Sequence, residues 1–192
     1  MSVLVAIKEK NRIVVGVDVR MSSNESYIDS YPRRPKAIHL TKDKDVIIGA
    51  VGNMALLDIF KDLMLSYKTE DLYSIDRDYI VKYIVPSLVT EVARCTTDIN
   101  YEDMDATLLL AVKNRAYIIP GNYSVSELME YDAIGSGQDA AIGSLYTTSK
   151  FAMSSEERIR LAIEASGSTN RSVSKLSYIG DTKGKQFTPS NV

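Results

Sequence analysis

Two short runs near the start of the chain limit what it can become. Val3-Leu4-Val5-Ala6-Ile7 and Arg12-Ile13-Val14-Val15-Gly16-Val17-Asp18-Val19 are apolar and mostly β-branched, and Lys8-Glu9-Lys10-Asn11 between them reads as a polar turn. A surface strand alternates apolar and polar residues, whereas a strand that is apolar almost throughout is covered on both faces. This hairpin therefore belongs in the middle of a layered core, not on its outside.

The rest of the chain supplies further layers. Lys36–Leu40 and Val46–Gly52 form a second predicted hairpin across Lys42-Asp43-Lys44, after a polar stretch from Ser22 to Arg34 that Pro32 and Pro35 mark as an ordered loop. From Asn53, a candidate N-cap, Met54, Leu57, Ile59, Phe60, Leu63 and Met64 recur at helical spacing. Ile80, Tyr83, Ile84, Leu88, Val89 and Val92 predict a second helix that Pro86 kinks or restarts. Strands follow at 106–112, 116–119 and 131–134. A short helix follows Gly137, and another, opened by the capping box Ser154-Ser155-Glu156-Glu157, runs to about Ala165. A last strand is predicted at 173–179. Blocks of strands followed by blocks of helices suit antiparallel sheets with helices outside, not a doubly wound parallel sheet.

Composition narrows the function. The 192 residues carry 23 Lys+Arg against 25 Asp+Glu, too balanced for a protein held to nucleic acid by phosphate contacts. No apolar run is long enough to cross a bilayer, so membrane attachment is not expected and the cytosol fits best. One cysteine, Cys95, and one histidine, His39, cannot supply a zinc site built from several such ligands. Neither metal nor cofactor is expected. Cys95 reads as a small buried residue late in a helix, His39 as a partly exposed strand residue and Arg33-Arg34 as a solvated loop edge. Twelve tyrosines against three phenylalanines point to half-buried surfaces of the kind found where subunits touch.

Three places can carry chemistry. Ser2 follows Met1 and precedes the first buried strand. Removing a methionine before a small residue leaves a hydroxyl and a free α-amine on one residue, and that amine can act as base for its own side chain. Viewed alone, the dipeptide is an ordinary start of translation. Asp18-Val19-Arg20 ends the second strand, with Lys36 heading the third; a carboxylate can hold a lysine that favours an alkoxide, although such groups are more often surface ion pairs. Gly49-Ala50-Val51-Gly52 and Gly135-Ser136-Gly137 sit at strand–helix junctions, where backbone N–H groups can face a developing oxyanion. Neither glycine run matches a phosphate-binding loop.

In this order the features resemble one family. A serine at the start, Asp18-Val19-Arg20, Lys36 with Leu40, Ile48-Gly49 with Gly52-Asn53 before a helix, and Ala133-Ile134-Gly135-Ser136-Gly137 with Ala141, Gly143 and Leu145 resemble the proteasome β-subunit family. That family includes the bacterial HslV peptidase and small bacterial and phage relatives. Glu157-Arg158 and Leu161-Ala162-Ile163-Glu164-Ala165 are similar to the bacterial branch, and the likeness runs from Ser2 to about Ile179.

The resemblance implies an α+β fold, a four-layer αββα sandwich of two antiparallel sheets, in one domain over residues 1–192 with a polar tail from 180. It implies an N-terminal-nucleophile hydrolase in which Ser2 takes the place of the family's threonine. Lys36, chosen over Arg34, lowers the nucleophile's pKa; Asp18 pairs with it, and Arg20 supports that loop. Gly49 offers the oxyanion N–H, and Ser136 stands near the amine. Met21, Ile47 and Val51 line the pocket beside the scissile bond, so cleavage after apolar residues is expected. The family's late Asp-x-x-Ser pair has no clean match: Ser166 stands at the acid position and Thr169 at the serine's. The implied partners are further copies of the chain, in a ring or helical turn to which the helix over 56–65 contributes contacts, and a peptide or unfolded protein as substrate. There is also room for an ATPase that feeds the chamber. A catalytically silent ring subunit and an amidase of small amides are the alternatives.

Overall fold

Alternation along one strand sorts the molecule into layers. In β1 (Val3–Lys8), Val3, Val5 and Ile7 point to one face and Leu4 and Ala6 to the other, and all five are buried. The computed structural model describes residues 2–23, 26–29, 35–95 and 104–190 and shows what covers each face. β1 lies in a five-stranded antiparallel sheet with β2 (Ile13–Asp18), β10 (Tyr131–Gly135), β11 (Ser177–Asp181) and β12 (Thr188–Pro189), in the order β10-β1-β2-β11-β12. A second sheet has the order β5-β6-β7-β8-β9, formed by β5 (Ala37–His39), β6 (Val46–Gly52), β7 (Ala106–Val112), β8 (Arg115–Ile119) and β9 (Ser126–Glu127). A small hairpin, β3 (Arg20–Ser23) with β4 (Ser26–Asp29), projects from the end of β2.

Leu4, Ala6, Val15 and Val17 meet Ile47, Val51, Leu109 and Ala111 between the two sheets. On its other face the first sheet packs Val3, Val5 and Ile7 against Ala141 and Leu145 of α5 (Gln138–Thr148) and Ile159 and Ile163 of α6 (Ser155–Thr169). The helix comes so close that a Cβ on Gly16 would lie 2.2 Å from an Ile159 methyl, which explains the glycine in an otherwise β-branched strand. The outer face of the second sheet is covered by α1 (Ala55–Leu65) and α4 (Val85–Cys95), through Leu56, Phe60, Leu88 and Val92. Two short helices, α2 (Thr69–Tyr73) and α3 (Arg77–Tyr79), link them. The architecture is the four-layer αββα sandwich, α+β with both sheets antiparallel.

Several elements depart from the sequence reading. The stretch from Ser22, expected as a loop, starts as the β3–β4 hairpin; Pro32, Arg33 and Arg34 lie outside the described residues, as does Met1. Asn53 is not the formal N-cap, but its Oδ1 accepts the Ala55 N–H at 3.1 Å. Pro86 is the second residue of α4, which starts afresh at Val85 after a π turn over Ile80–Ile84 that joins it to α3. A widened turn just before the proline relieves the contact of its ring with the preceding turn. The capping box at Ser154 and Glu157 is present, and α6 runs on to Thr169. The last strand sits later than 173–179. The expected polar tail is folded through Ser190, whose N–H donates to Ser177 O at 2.9 Å. Cys95 is exposed, not buried, because α4 turns that position away from the sheet.

Candidate functional site

The site forms where β1 begins and β2 ends, which the hairpin register makes neighbours: Leu4 pairs with Val17. Asp18 is therefore carried to the start of β1 and is fully buried. Its Oδ1 accepts the Val3 N–H at 2.9 Å and the Lys36 ammonium at 2.5 Å. Its Oδ2 accepts the N–H groups of Arg20 at 3.0 Å and Ser174 at 3.1 Å. Lys36 Nζ also donates to the Arg20 carbonyl. One carboxylate oxygen thus joins the peptide next to Ser2 to the Lys36 ammonium, and four donors fix its orientation.

Burial pushes the Lys36 pKa below the ordinary lysine value, against the opposing pull of the Asp18 charge and hydrogen bond. The Arg20 side chain points elsewhere, to Asp29 at 3.1 Å and the Arg171 carbonyl at 3.0 Å. In this way it braces the hairpin that also supplies the carbonyl under Lys36.

Ser2 is 5% exposed. Its carbonyl accepts the Gly137 N–H at 3.4 Å and the Ser136 hydroxyl at 3.5 Å. Gly135 has φ +101°, and a Cβ there would lie 2.3 Å from Ser2 O, so glycine is required for β10 to press against the first residues. Ser2 opens on a cavity of about 770 Å³ whose walls include Val51, Gly52, Asn53, Met104, Asp105, Thr107 and Ser136.

Of the residues singled out in the sequence, Asp18, Lys36 and the Arg20 main chain meet in one hydrogen-bonded group beside Ser2, and Ser136 and Val51 lie on the cavity. Gly49 does not. The Ala50 N–H donates to Lys36 O at 2.8 Å, so in an antiparallel strand the Gly49 N–H points the opposite way, toward β7, where Gly49 stands opposite Leu109. Its lack of a side chain serves packing, since a Cβ would sit 2.5 Å from a Leu4 methyl. The outward direction returns at Gly52, which has φ +98° and lies on the cavity. Ile47 is fully buried between the sheets, and Met21, on β3, is not among the cavity-lining residues. Of the three predicted pocket residues, only Val51 faces the cavity.

Two contributors were missed. The Asn170 amide donates to Ser136 O at 3.0 Å and to Ser136 Oγ at 3.2 Å. The Ser174 N–H completes the shell around Asp18. Asn170 caps α6 one residue beyond Thr169, outside the late pair's positions, and a main-chain donor leaves no trace in residue type. Ser166, at the acid position, turns its hydroxyl to Gly137 O at 2.8 Å and Ala162 O at 2.9 Å and is fully buried. Thr169 bonds back to the carbonyls of Ala165 and Ser166 within its own helix. His39 is held by the Asp181 carbonyl at 2.9 Å and by the Phe187 ring, away from this group. Among the described residues no cluster of His, Cys, Asp and Glu is arranged to hold a metal ion, and no helix is long and apolar enough to cross a membrane.

The fold is found in solved structures. BPH from Thiobacillus denitrificans superposes with a TM-score of 0.74 at 15% identity, covering 95% of this chain and 98% of that one. The same protein in complex with epoxomicin gives 0.70 at 17% identity, over 96% and 100%. Eukaryotic HslV from Trypanosoma brucei gives 0.68 at 16% identity, over 93% and 98%. No curated protein matches the sequence. A family model, described as the proteasome subunit, matches residues 2–177, nearly the whole span that folds into the two sheets and four layers described above. With that match added to the sandwich, this chain belongs to the proteasome subunit family.

Proposed function

We propose that the chain is a proteasome-like peptidase whose nucleophile is Ser2, exposed by removal of Met1. The observation that carries this reading is the shared Asp18 oxygen, which holds the Lys36 ammonium and the Val3 N–H at 2.5 and 2.9 Å. A cation fixed so close to the first peptide lowers the cost of forming an alkoxide at the preceding residue. Ser2 Oγ attacks the peptide carbonyl while its proton passes to the Ser2 amine. The C–N bond breaks, the leaving nitrogen takes that proton, and an ester on Ser2 remains. Water then attacks the ester, gives a proton to the amine, and releases the new carboxyl group as the C–O bond breaks and Ser2 Oγ regains its hydrogen. The Gly52 N–H, in place of that of Gly49, is the donor for the oxyanion. Ser136, oriented by Asn170, positions the Ser2 main chain.

Self-assembly belongs to the same reading. Leu56, Leu57, Phe60, Leu63 and Met64 of α1 are buried in the chain's own core, while Leu65 at the end of that helix is exposed. Ile142, Tyr146 and Phe151, on and just after α5, are exposed large apolar side chains and add a second surface that supports contacts between copies. A ring in the cytosol, with Ser2 on the inner side, follows from family membership as an expectation.

One observation favours a second reading, a silent ring subunit: Ser166 and Thr169, which fall where the family carries its late acid and serine, are tied into helix carbonyls. A peptide epoxyketone separates the two. Such a compound is captured by a hydroxyl and an amine on the same residue, so intact mass should rise by one inhibitor in protein beginning at Ser2 and stay unchanged in Ser2→Ala. No adduct on protein that begins at Ser2 favours the silent subunit, and an adduct on Ser2→Ala places the nucleophile elsewhere.

A further inference from the structure

The walls of the Ser2 cavity do not match the apolar pocket expected from the sequence. Among its described lining residues Asp105 is the one with a charged side chain; Asn53, Thr107 and Ser136 are polar, and Val51, Met104 and Ala106 are apolar. The nearby Lys36 charge is neutralised by its contact with Asp18, which leaves Asp105 as the unbalanced side-chain charge among the described walls.

The main chain presents this carboxylate at a fixed place. The Met104 N–H donates to Gly121 O at 3.0 Å, the Ala106 N–H reaches back to Met104 O at 2.7 Å, and the Asn53 N–H donates to Asp105 O at 2.7 Å. The bond from Ala106 to Met104 closes a tight three-residue turn with Asp105 at its apex. The backbone of Gly52 fits beneath it, since a Cβ there would stand 2.5 Å from Asp105 O. Asp105 is exposed and forms no ion pair with any described residue.

We infer that this cavity is a subsite for a cationic side chain, lysine or arginine, on the residue whose carbonyl Ser2 attacks. The inference rests on the proposed role of Ser2 and names the substrate class of that site. A lysine fits the mixture of walls: its methylene stem lies along Val51, Met104 and Ala106 while the ammonium reaches Asp105. An acidic side chain meets a like charge there, and an apolar one leaves the carboxylate without a partner.

Binding and turnover test the subsite separately. Ser2→Ala protein is titrated with N-acetyl tripeptide amides that differ only in a last residue of Lys, Leu or Glu. The lysine peptide should bind about fivefold more tightly than the leucine peptide, the yield of one partly exposed ion pair, with the glutamate peptide weakest. Adding Asp105→Asn should bring lysine and leucine within about twofold, and about 0.5 M salt should do much the same to the unaltered cavity. Equal binding of lysine and leucine, tighter binding of glutamate, or a lysine preference that survives Asp105→Asn would each overturn the subsite. Fluorogenic peptides with the same three residues before the fluorophore then separate the two claims. Ser2-dependent cleavage fastest after leucine overturns the subsite and leaves the nucleophile standing. Hydrolysis that persists in Ser2→Ala overturns the nucleophile, while the binding preference still decides the subsite.

Discussion

The strand β2 has an ionic group at each end, and the two are built differently. Arg12, just before the strand, contacts Glu9 at 2.7 Å, Asp181 at 2.6 Å and Glu156 at 3.2 Å, and its side chain is 22% exposed. These bonds tie the β1–β2 turn to the start of α6 and to the C-terminal segment. Asp18, at the other end, and its partner Lys36 are 0% and 2% exposed. A network whose arginine and two glutamates are partly exposed costs less desolvation and contributes modestly to stability, although Asp181 itself is buried. A buried pair costs several kcal/mol per ion before attraction returns it, and apolar residues of the same volume often serve the fold as well or better. Stability alone therefore accounts for the Arg12 end. It gives no reason to hold a lysine and an aspartate in the dark beside Ser2, and the proposed chemistry does.

If this contrast is right, changes at the two ends differ in kind. The largest effect is expected for Lys36→Met, which keeps the volume of the stem but removes the charge. Turnover should fall by about a thousandfold, the scale of losing a group that activates a nucleophile. Asp18 keeps three N–H donors, so urea unfolding should still show a single cooperative transition. Combining it with Ser2→Ala should add almost nothing to either loss, because residues acting as one unit are not additive. A variant with near-normal turnover would erase the distinction between the two ends.

Asp18→Asn should come next. It leaves a buried ammonium without its counter-charge, and a loss of about 3 kcal/mol in urea-determined stability is expected together with loss of activity. A loss of activity with unchanged stability would mean that the pair is less buried than its 0% and 2% exposure implies.

The pH profile sharpens the comparison further. The Ser2 amine must be unprotonated to act as base, so activity should rise through its pKa, about 8 when unperturbed. Lys36 must be protonated, and because burial lowers its pKa, activity should fall again below the pH at which an ordinary lysine titrates. For stability the sign is opposite: the unfolded chain binds the Lys36 proton more strongly, so stability should increase as pH rises from the lowered value toward that of a free lysine. Lys36→Met should abolish that slope. A profile without a descending limb in the alkaline range would remove Lys36 from the mechanism.

The smallest effect belongs to the open end. Arg12→Ala should cost about 1 kcal/mol and leave turnover unchanged. Burial raises the Asp181 pKa, but the N–H groups of Lys185 and Lys183, together with Arg12, outweigh it and hold the pKa below the usual aspartate value. The stability that Asp181 contributes is therefore present above the usual aspartate range and lost as pH falls through the lowered value. The gap between Arg12→Ala and the parent protein should close in strong acid. A loss of turnover in Arg12→Ala would show that the two ends are coupled through β2.

The layers were legible because period and burial are local properties. Val3–Ile7 and Val14–Val17 announce doubly covered strands, Val46–Val51 and Leu108–Val112 announce strands, and Ser154 with Glu157 announces its helix. The β3–β4 hairpin was not legible, since its strands are polar and short and lie on the outside of the core. The Asp18, Lys36 and Ser136 positions followed from resemblance. Gly49 and Ile47 show where that approach fails. Which way a strand residue's N–H points depends on register, and how far along β6 a residue sits decides core or cavity: Ile47 and Val51 share a face, but Val51 lies on the cavity and Ile47 does not. Asp105 was out of reach for the same reason: only the folded turn at Met104–Ala106 brings it to Ser2's cavity.

The central claim is that Ser2 becomes the nucleophile once its amine is free, with Lys36 poised by Asp18. It is tested most directly by peptide turnover on samples whose intact masses establish the first residue. Protein beginning at Ser2 should cleave, whereas protein retaining Met1 and the Ser2→Ala variant should both be inactive. Full turnover by either of those two would contradict the account and place the nucleophile elsewhere.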